Sequence, residues 1–225
     1  NPHATELVAA LDTDPVLRHR VYAVVGTSAA LGDHLARHPE HWHVLRTDDE
    51  QPLAVPDADQ WRADLLTSVG ADPMSPAPVA RDATMATVAD LRVEYRRALL
   101  VLAAADLAED RPFPAVASSL ADLADAALAA ALAVARAEHP DADSQARLAV
   151  IAMGKCGGRE LNYISDVDVL FVAEPRPGVE ESSALAAGTR LAQAMMRACS
   201  ASTPEGSLWE VDANLRPEGK NGALV

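Results

Sequence analysis

Residues 148–172 read LAVIAMGKCGGRELNYISDVDVLFV. The opening apolar run, residues 148–153, suits a short buried strand. Gly154, Gly157 and Gly158 follow as a glycine-rich loop, and residues 159–163 are expected to form a short helical turn. Residues 166–172, rich in β-branched side chains, read as a second strand. A strand alternates its faces, so Asp166 and Asp168 project from one side while Val167 and Val169 point into a core.

Two carboxylates about 6–7 Å apart on one face repel each other unless a cation sits between them. Hard oxygen donors at that spacing suit Mg²⁺, which keeps water and phosphate oxygens in its shell. Glycines let the backbone approach a phosphate closely. Lys155 adds a point charge; the chain's other lysine is Lys220, and its remaining basic residues are arginine. Further on, Asp212 stands in an apolar stretch, residues 208–213, that reads as a third strand. A third carboxylate there would complete a two-metal site of the phosphoryl-transfer kind. Taken singly, an Asp-x-Asp pair is usually a solvated strand edge and a glycine cluster a turn. Neither G-x-x-x-x-G-K-[ST] nor G-x-G-x-x-G is present, so the loop matches neither the P-loop nor the dinucleotide fingerprint.

Outward from this segment the rest of the chain reads as helical. Of 225 residues, 47 are alanine, which favours helix while adding little buried area. One helix is expected from Asp14-Pro15 to just before Pro39. Others are expected over residues 57–69, 83–107, 118–137 and 180–198, with a proline-rich loop over 71–80. Arg216-Pro-Glu-Gly219 is expected to turn the chain into a fourth strand at 223–225. The fold class is therefore α+β: a helical portion, residues 1–140, then a mixed sheet with flanking helices, residues 141–225. Both ends look cut, so the chain is expected to be a fragment truncated at its C-terminal end.

The formal charge is −14, a poor basis for binding nucleic acid or an anionic membrane by charge. No charge-free window of roughly 18 apolar residues appears, so no transmembrane helix is expected. The N-terminus has no signal-peptide pattern, and with two cysteines as plain thiols the expected location is the cytoplasm. His34, His38, His41 and His43 could bind zinc. They fall across a helix end at His38-Pro39 without a patterned carboxylate, so the expectation is surface histidines with Trp42 packed inward. Trp61, Tyr95 and Trp209 are expected in the core.

Gly154-Lys155, Ser165-Asp166-x-Asp168 and the later Asp212 resemble the DNA polymerase beta-like nucleotidyltransferase superfamily. More narrowly, GKCGGRELNYISDVDVLF and VDANLRPEGKNGALV resemble the glutamine synthetase adenylyltransferase/deadenylylase family, specifically over residues 148–225. The match is looser in the helical part, at AALGDHLARHPEHWHVL from Ala29. The resemblance implies catalytic metal ligands at Asp166, Asp168 and Asp212, with Mg²⁺ as cofactor. It implies nucleotide and phosphate binding by Gly154, Lys155, Gly157, Gly158, Ser165 and Arg216. Asn214 stands where the family often has Arg. The implied reaction is phosphorolytic removal of AMP from an adenylylated tyrosine of glutamine synthetase, giving ADP. The Glu160-Leu161-Asn162 run favours this deadenylylating half over the half that transfers AMP from ATP. A reading of another class makes the helical portion a non-catalytic docking module for glutamine synthetase or a PII-type nitrogen regulator.

Overall fold

The computed structural model describes residues 2–48, 51–217 and 219–225. The order is α1 (Pro2–Thr13), α2 (Pro15–Thr27), α3 (Ala29–Arg37), a 3₁₀ turn (Pro39–Leu45), α4 (Ala58–Ser68), α5 (Met85–Glu109), α6 (Phe113–Glu138) and α7 (Pro140–Gln145). Then come β1 (Ala146–Ala152), α8 (Gly154–Gly157), β2 (Val167–Pro175), α9 (Glu181–Ser200), β3 (Val211–Asp212) and a last 3₁₀ turn (Gly219–Asn221).

Capping side chains start many of these helices. Asp14 accepts from Leu17 N at 2.8 Å and Asp57 from Gln60 N at 2.9 Å, each satisfying an otherwise orphaned amide. The single helix expected from Asp14 to Pro39 is instead two. Ser28 adopts an extended backbone, φ −128°, and its hydroxyl accepts from Leu31 N. It ends α2 and caps α3, a local bond that competes with the helix ladder.

α6 packs against α4, α5 and α9 at the centre of the larger core. It starts at Phe113, earlier than expected, with Pro114 tolerated in the first turn. Nine of its fifteen buried residues are alanine, small enough to let neighbouring helices approach on several sides. α6 is long and apolar enough to cross a membrane by length and composition alone, but it carries Asp122 and Asp125, and 67% of its apolar window is buried inside the fold as a core helix. A second core joins α2, α3 and the first 3₁₀ turn to α5 through Leu17, Trp42, Leu45 and Leu100.

The sheet order is β1-β2-β3, with β1–β2 antiparallel and β2–β3 parallel. A parallel pair needs a long crossover, and α9 lies in it. The α+β class holds. Val167, Val169 and Phe171 are buried on the inner face, while Ile151 and Val172 stay exposed on the outer one. Three local expectations are corrected. The helical turn lies at α8, within the glycine segment, and residues 159–163 are irregular. The third strand spans two residues. Residues 223–225 form no strand. The expected Arg216–Gly219 turn includes Glu218, which lies outside the described residues.

Two arginines are almost wholly buried. Arg20 pairs with Glu109 and donates to the Leu45 carbonyl and the Thr47 hydroxyl. Arg92, 0% exposed, donates to the carbonyls of Val88, Ala198, Ala201 and Gly206. It holds the C-terminal end of α9, where a cation meets unsatisfied carbonyls.

Candidate active site

β1 ends beside β2, where Met153 N donates to the Asp168 carbonyl at 2.8 Å. The chain then bends at Gly154, φ +51°, into the single turn of α8. Two glycines here leave little room for a side chain. A Cβ on Gly154 would lie 2.2 Å from Asp168 Oδ2, and one on Gly157 would lie 2.4 Å from the Ala152 carbonyl oxygen. The Gly157 and Gly158 amides are spent inside the turn, on Met153 O and Gly154 O. Lys155 is exposed at its apex. Arg159 ties the loop to α6 through Asp122 and the Ser118 hydroxyl.

Asn162 Oδ1 organises the approach to β2, accepting from Ile164 N at 3.1 Å and from the Ser165 hydroxyl at 2.7 Å. Asp166 lies one residue before β2 and is exposed; Asp168 is half-buried within it. Asp212, in β3, is the register partner of Asp168. In-register residues on adjacent strands share a face and sit about 4.8 Å apart. Asp168 and Asp212 therefore share the outer sheet face, with Asp166 one residue before the start of β2. Asp212 Oδ1 accepts from Asn214 N at 2.7 Å, which orients that carboxylate. Among the described residues no ion pair reaches Asp166, Asp168 or Asp212. Arg216 donates to the carbonyls of Ala213 and Gly222 and braces the turn after β3.

Cys156, within the glycine turn, is buried, and burial pushes its thiol up to about 12. Its Sγ lies 3.8 Å from Asp125 Oδ1. An apolar cleft of about 440 Å³ lies between α5 and the two carboxylate-bearing segments, lined among others by Tyr95, Arg96, Tyr163, Ile164, Leu208 and Trp209. Ile164 and Trp209 come two and three residues before Asp166 and Asp212, which places this cleft at the flank of the carboxylates. A larger depression of about 670 Å³ around Arg20, Glu109 and Arg111 shares no lining residue with those segments.

Trp42, Trp61 and Tyr95 are buried, as expected of core residues; Trp209 is only partly buried against the core, and its Nε1 donates to the Tyr95 hydroxyl at 3.2 Å. The histidine cluster departs from expectation. His34 is 0% exposed, and burial first, then the neighbouring His41 and His38, holds its pKa down to about 3. Two trios of ligating atoms lie mutually within 4.8 Å among the described residues: His3, Glu6 and His43, and His34, His38 and Glu205. The aspartate trio is not among them. Glu205 could not be foreseen, because no local pattern links it to the histidines.

The sequence matches the family profile described as glutamate-ammonia ligase adenylyltransferase over residues 18–225. It is 50% identical over 220 residues to the bifunctional glutamine synthetase adenylyltransferase/adenylyl-removing enzyme of Streptomyces avermitilis, covering 98% of this chain and 20% of that protein. The protein of the same description from Streptomyces coelicolor is 47% identical over 232 residues, covering 100% of this chain and 21% of its own length. That from Mycobacterium bovis is 47% identical over 233 residues, with 98% and 20% covered. The chain thus spans about a fifth of the length of these relatives. It belongs to the glutamate-ammonia ligase adenylyltransferase family.

Proposed function

We propose that this chain carries a nucleotidyltransferase centre that removes AMP from an adenylylated tyrosine of glutamine synthetase by phosphorolysis. The observation that carries the reading is the register of Asp168 with Asp212 on parallel strands, with Asp166 two residues before Asp168 in the chain. In the reaction an oxygen of inorganic phosphate bonds to the adenylyl phosphorus, the phosphorus–tyrosine oxygen bond breaks, and the tyrosine oxygen recovers a proton. The products are ADP and unmodified synthetase.

The donor set fits magnesium, being three hard carboxylates. Bound by Asp166, Asp168 and Asp212, the ion would supply neutralisation of the phosphate charges. Gly154 leaves room for the Asp168 carboxylate, and the Asn214 amide holds that of Asp212. Lys155, exposed in the glycine turn, would offer its ammonium to the incoming phosphate. Ser165, engaged with Asn162, sets the entry of Asp166. Residues 1–140 would serve as the face for glutamine synthetase and for a PII-type regulator. The reading places the protein in the cytoplasm, without nucleic-acid or membrane partners.

The test uses the full-length enzyme with Asp166→Asn and Asp168→Asn together. ADP release from phosphate and adenylylated synthetase should fall by about a hundredfold or more, with the circular dichroism spectrum unchanged. A double variant that still releases ADP overturns the assignment. The same double variant given ATP and unmodified synthetase decides the direction: loss of AMP transfer with phosphorolysis retained assigns the segment to the adenylylating half. Metal-independent binding of synthetase with neither reaction makes it a docking module.

A further inference from the structure

α3 and the 3₁₀ turn after it bring three imidazoles together. The ring centroids of His34, His38 and His41 lie 5.0–5.5 Å apart. His34 is fully buried. Its Nε2 is 2.9 Å from His41 Nδ1, and its own Nδ1 is buried with no hydrogen-bond partner. The chain returns 171 residues later to place Glu205, in the turn between α9 and β3, against the same cluster. His38 Nε2 lies 3.2 Å from Glu205 Oε2, yet it too is buried without a hydrogen bond. One ligating atom each from His34, His38 and Glu205 falls within 4.8 Å of the others.

We propose that His34, His38 and Glu205 bind a divalent transition metal of the zinc class, with His41 orienting His34 from behind. Buried imidazole nitrogens are normally satisfied, so the two orphans need an electron-pair acceptor. Donors at 2.0–2.1 Å around a tetrahedral zinc stand roughly 3.3 Å from one another, close to the His38–Glu205 separation. Because His34 Nε2 is engaged by His41, Nδ1 is the nitrogen that remains for the metal. A ligating histidine whose other N–H is donated to a fixed neighbour is the usual arrangement at such sites. Arg37 Nη1 sits 2.5 Å from Glu205 Oε2, and Arg96 donates to the Glu205 carbonyl. These bonds fix the Glu205 loop, and the imidazole nitrogens favour a metal of the zinc class over a hard, oxygen-preferring ion. The metal would fasten α3 to the loop that leads into β3, and so link the N-terminal helices to the strand bearing Asp212.

The experiment is a titration of the chelator-stripped chain with CoCl₂ and then ZnCl₂, followed by visible absorption and thermal melting. One equivalent of Co²⁺ per chain should give the absorption bands of a tetrahedral site, Zn²⁺ should bleach them, and Zn²⁺ should raise Tm. His38→Ala and, separately, Glu205→Gln should each weaken binding by about tenfold to a hundredfold. His43→Ala, in the exposed trio, and the Asp166→Asn/Asp168→Asn pair should leave the bands in place. His38 and Glu205 are only partly buried, and Glu205→Gln keeps the side-chain shape, so that variant decides if His38→Ala unfolds. No tetrahedral signature in the unaltered chain, equal affinity in Glu205→Gln, or loss of the bands in His43→Ala overturns the proposal.

Discussion

Gly154 and Asp168 touch: a Cβ on the glycine would come within 2.2 Å of the aspartate's Oδ2, and the glycine holds φ at +51°. The loop and the carboxylate face are thus one unit. Gly154→Ala should displace the Asp168 carboxylate and add about 1–2 kcal/mol of left-handed backbone strain. The phosphorolysis proposed above should fall at least about tenfold in the full-length enzyme, while Tm drops only a few degrees. Turnover unchanged within about twofold would show that the carboxylate is not confined by the loop.

Arg92 anchors a different joint. Its guanidinium reaches carbonyls at the end of α9 and in the turn that follows, 106 to 114 residues away. Arg92→Met fills similar volume but leaves these acceptors without a donor. Each charge-assisted bond is worth about 1.5–3 kcal/mol, so the loss should be on the order of 3–5 kcal/mol by urea unfolding. A loss below about 1 kcal/mol would mean that water replaces the arginine at little cost.

The parts that follow local periodicity are readable from sequence. Val167 and Val169 point inward and Asp168 outward because a strand alternates, and Asp57 starts α4 because its side chain caps. What cannot be read is pairing at a distance. The register of Asp168 with Asp212 depends on how α9 returns the chain, and nothing in either segment specifies it. Glu205 meets His34 only because Arg92 and Arg96 hold the turn before β3 against α5. The break at Ser28 is hidden for another reason: Val24, Val25 and Leu31 keep helical spacing across it, while one hydroxyl bond decides the backbone.

Asp82 gives a pH signature. Its carboxylate accepts from the hydroxyl of buried Thr87, from Thr84 N and from the Thr84 hydroxyl, and these bonds hold its pKa down to about 2. The unfolded value is about 3.9. A carboxyl depressed on folding contributes stability that is complete above the unfolded value and vanishes as pH falls through the folded one. The stability difference between the unaltered chain and Asp82→Asn should therefore be constant above about pH 5 and shrink toward pH 2. Urea midpoints measured at several pH values check this, and a difference that is flat across the range would detach Asp82 from these hydroxyls.

Cys156 sits in the glycine turn next to Lys155, where a reactive thiol would suggest covalent chemistry. The structure points the other way. Cys156 and Cys199 are both free and both buried, and burial is the largest influence raising each thiol to about 12. At pH 8 both thiols would be overwhelmingly protonated, and the thiolate is the nucleophile. Ellman's reagent should find no fast thiol in the native chain and two after guanidinium unfolding. Because reaction then requires opening of the fold, its rate should follow denaturant concentration rather than thiolate fraction alone. Full-length enzyme treated briefly with iodoacetamide under native conditions, and shown to be unmodified at these two positions, should keep its phosphorolytic rate. Rapid native labelling of Cys156 would instead show that the turn opens readily, and with it the support that Gly154 gives Asp168.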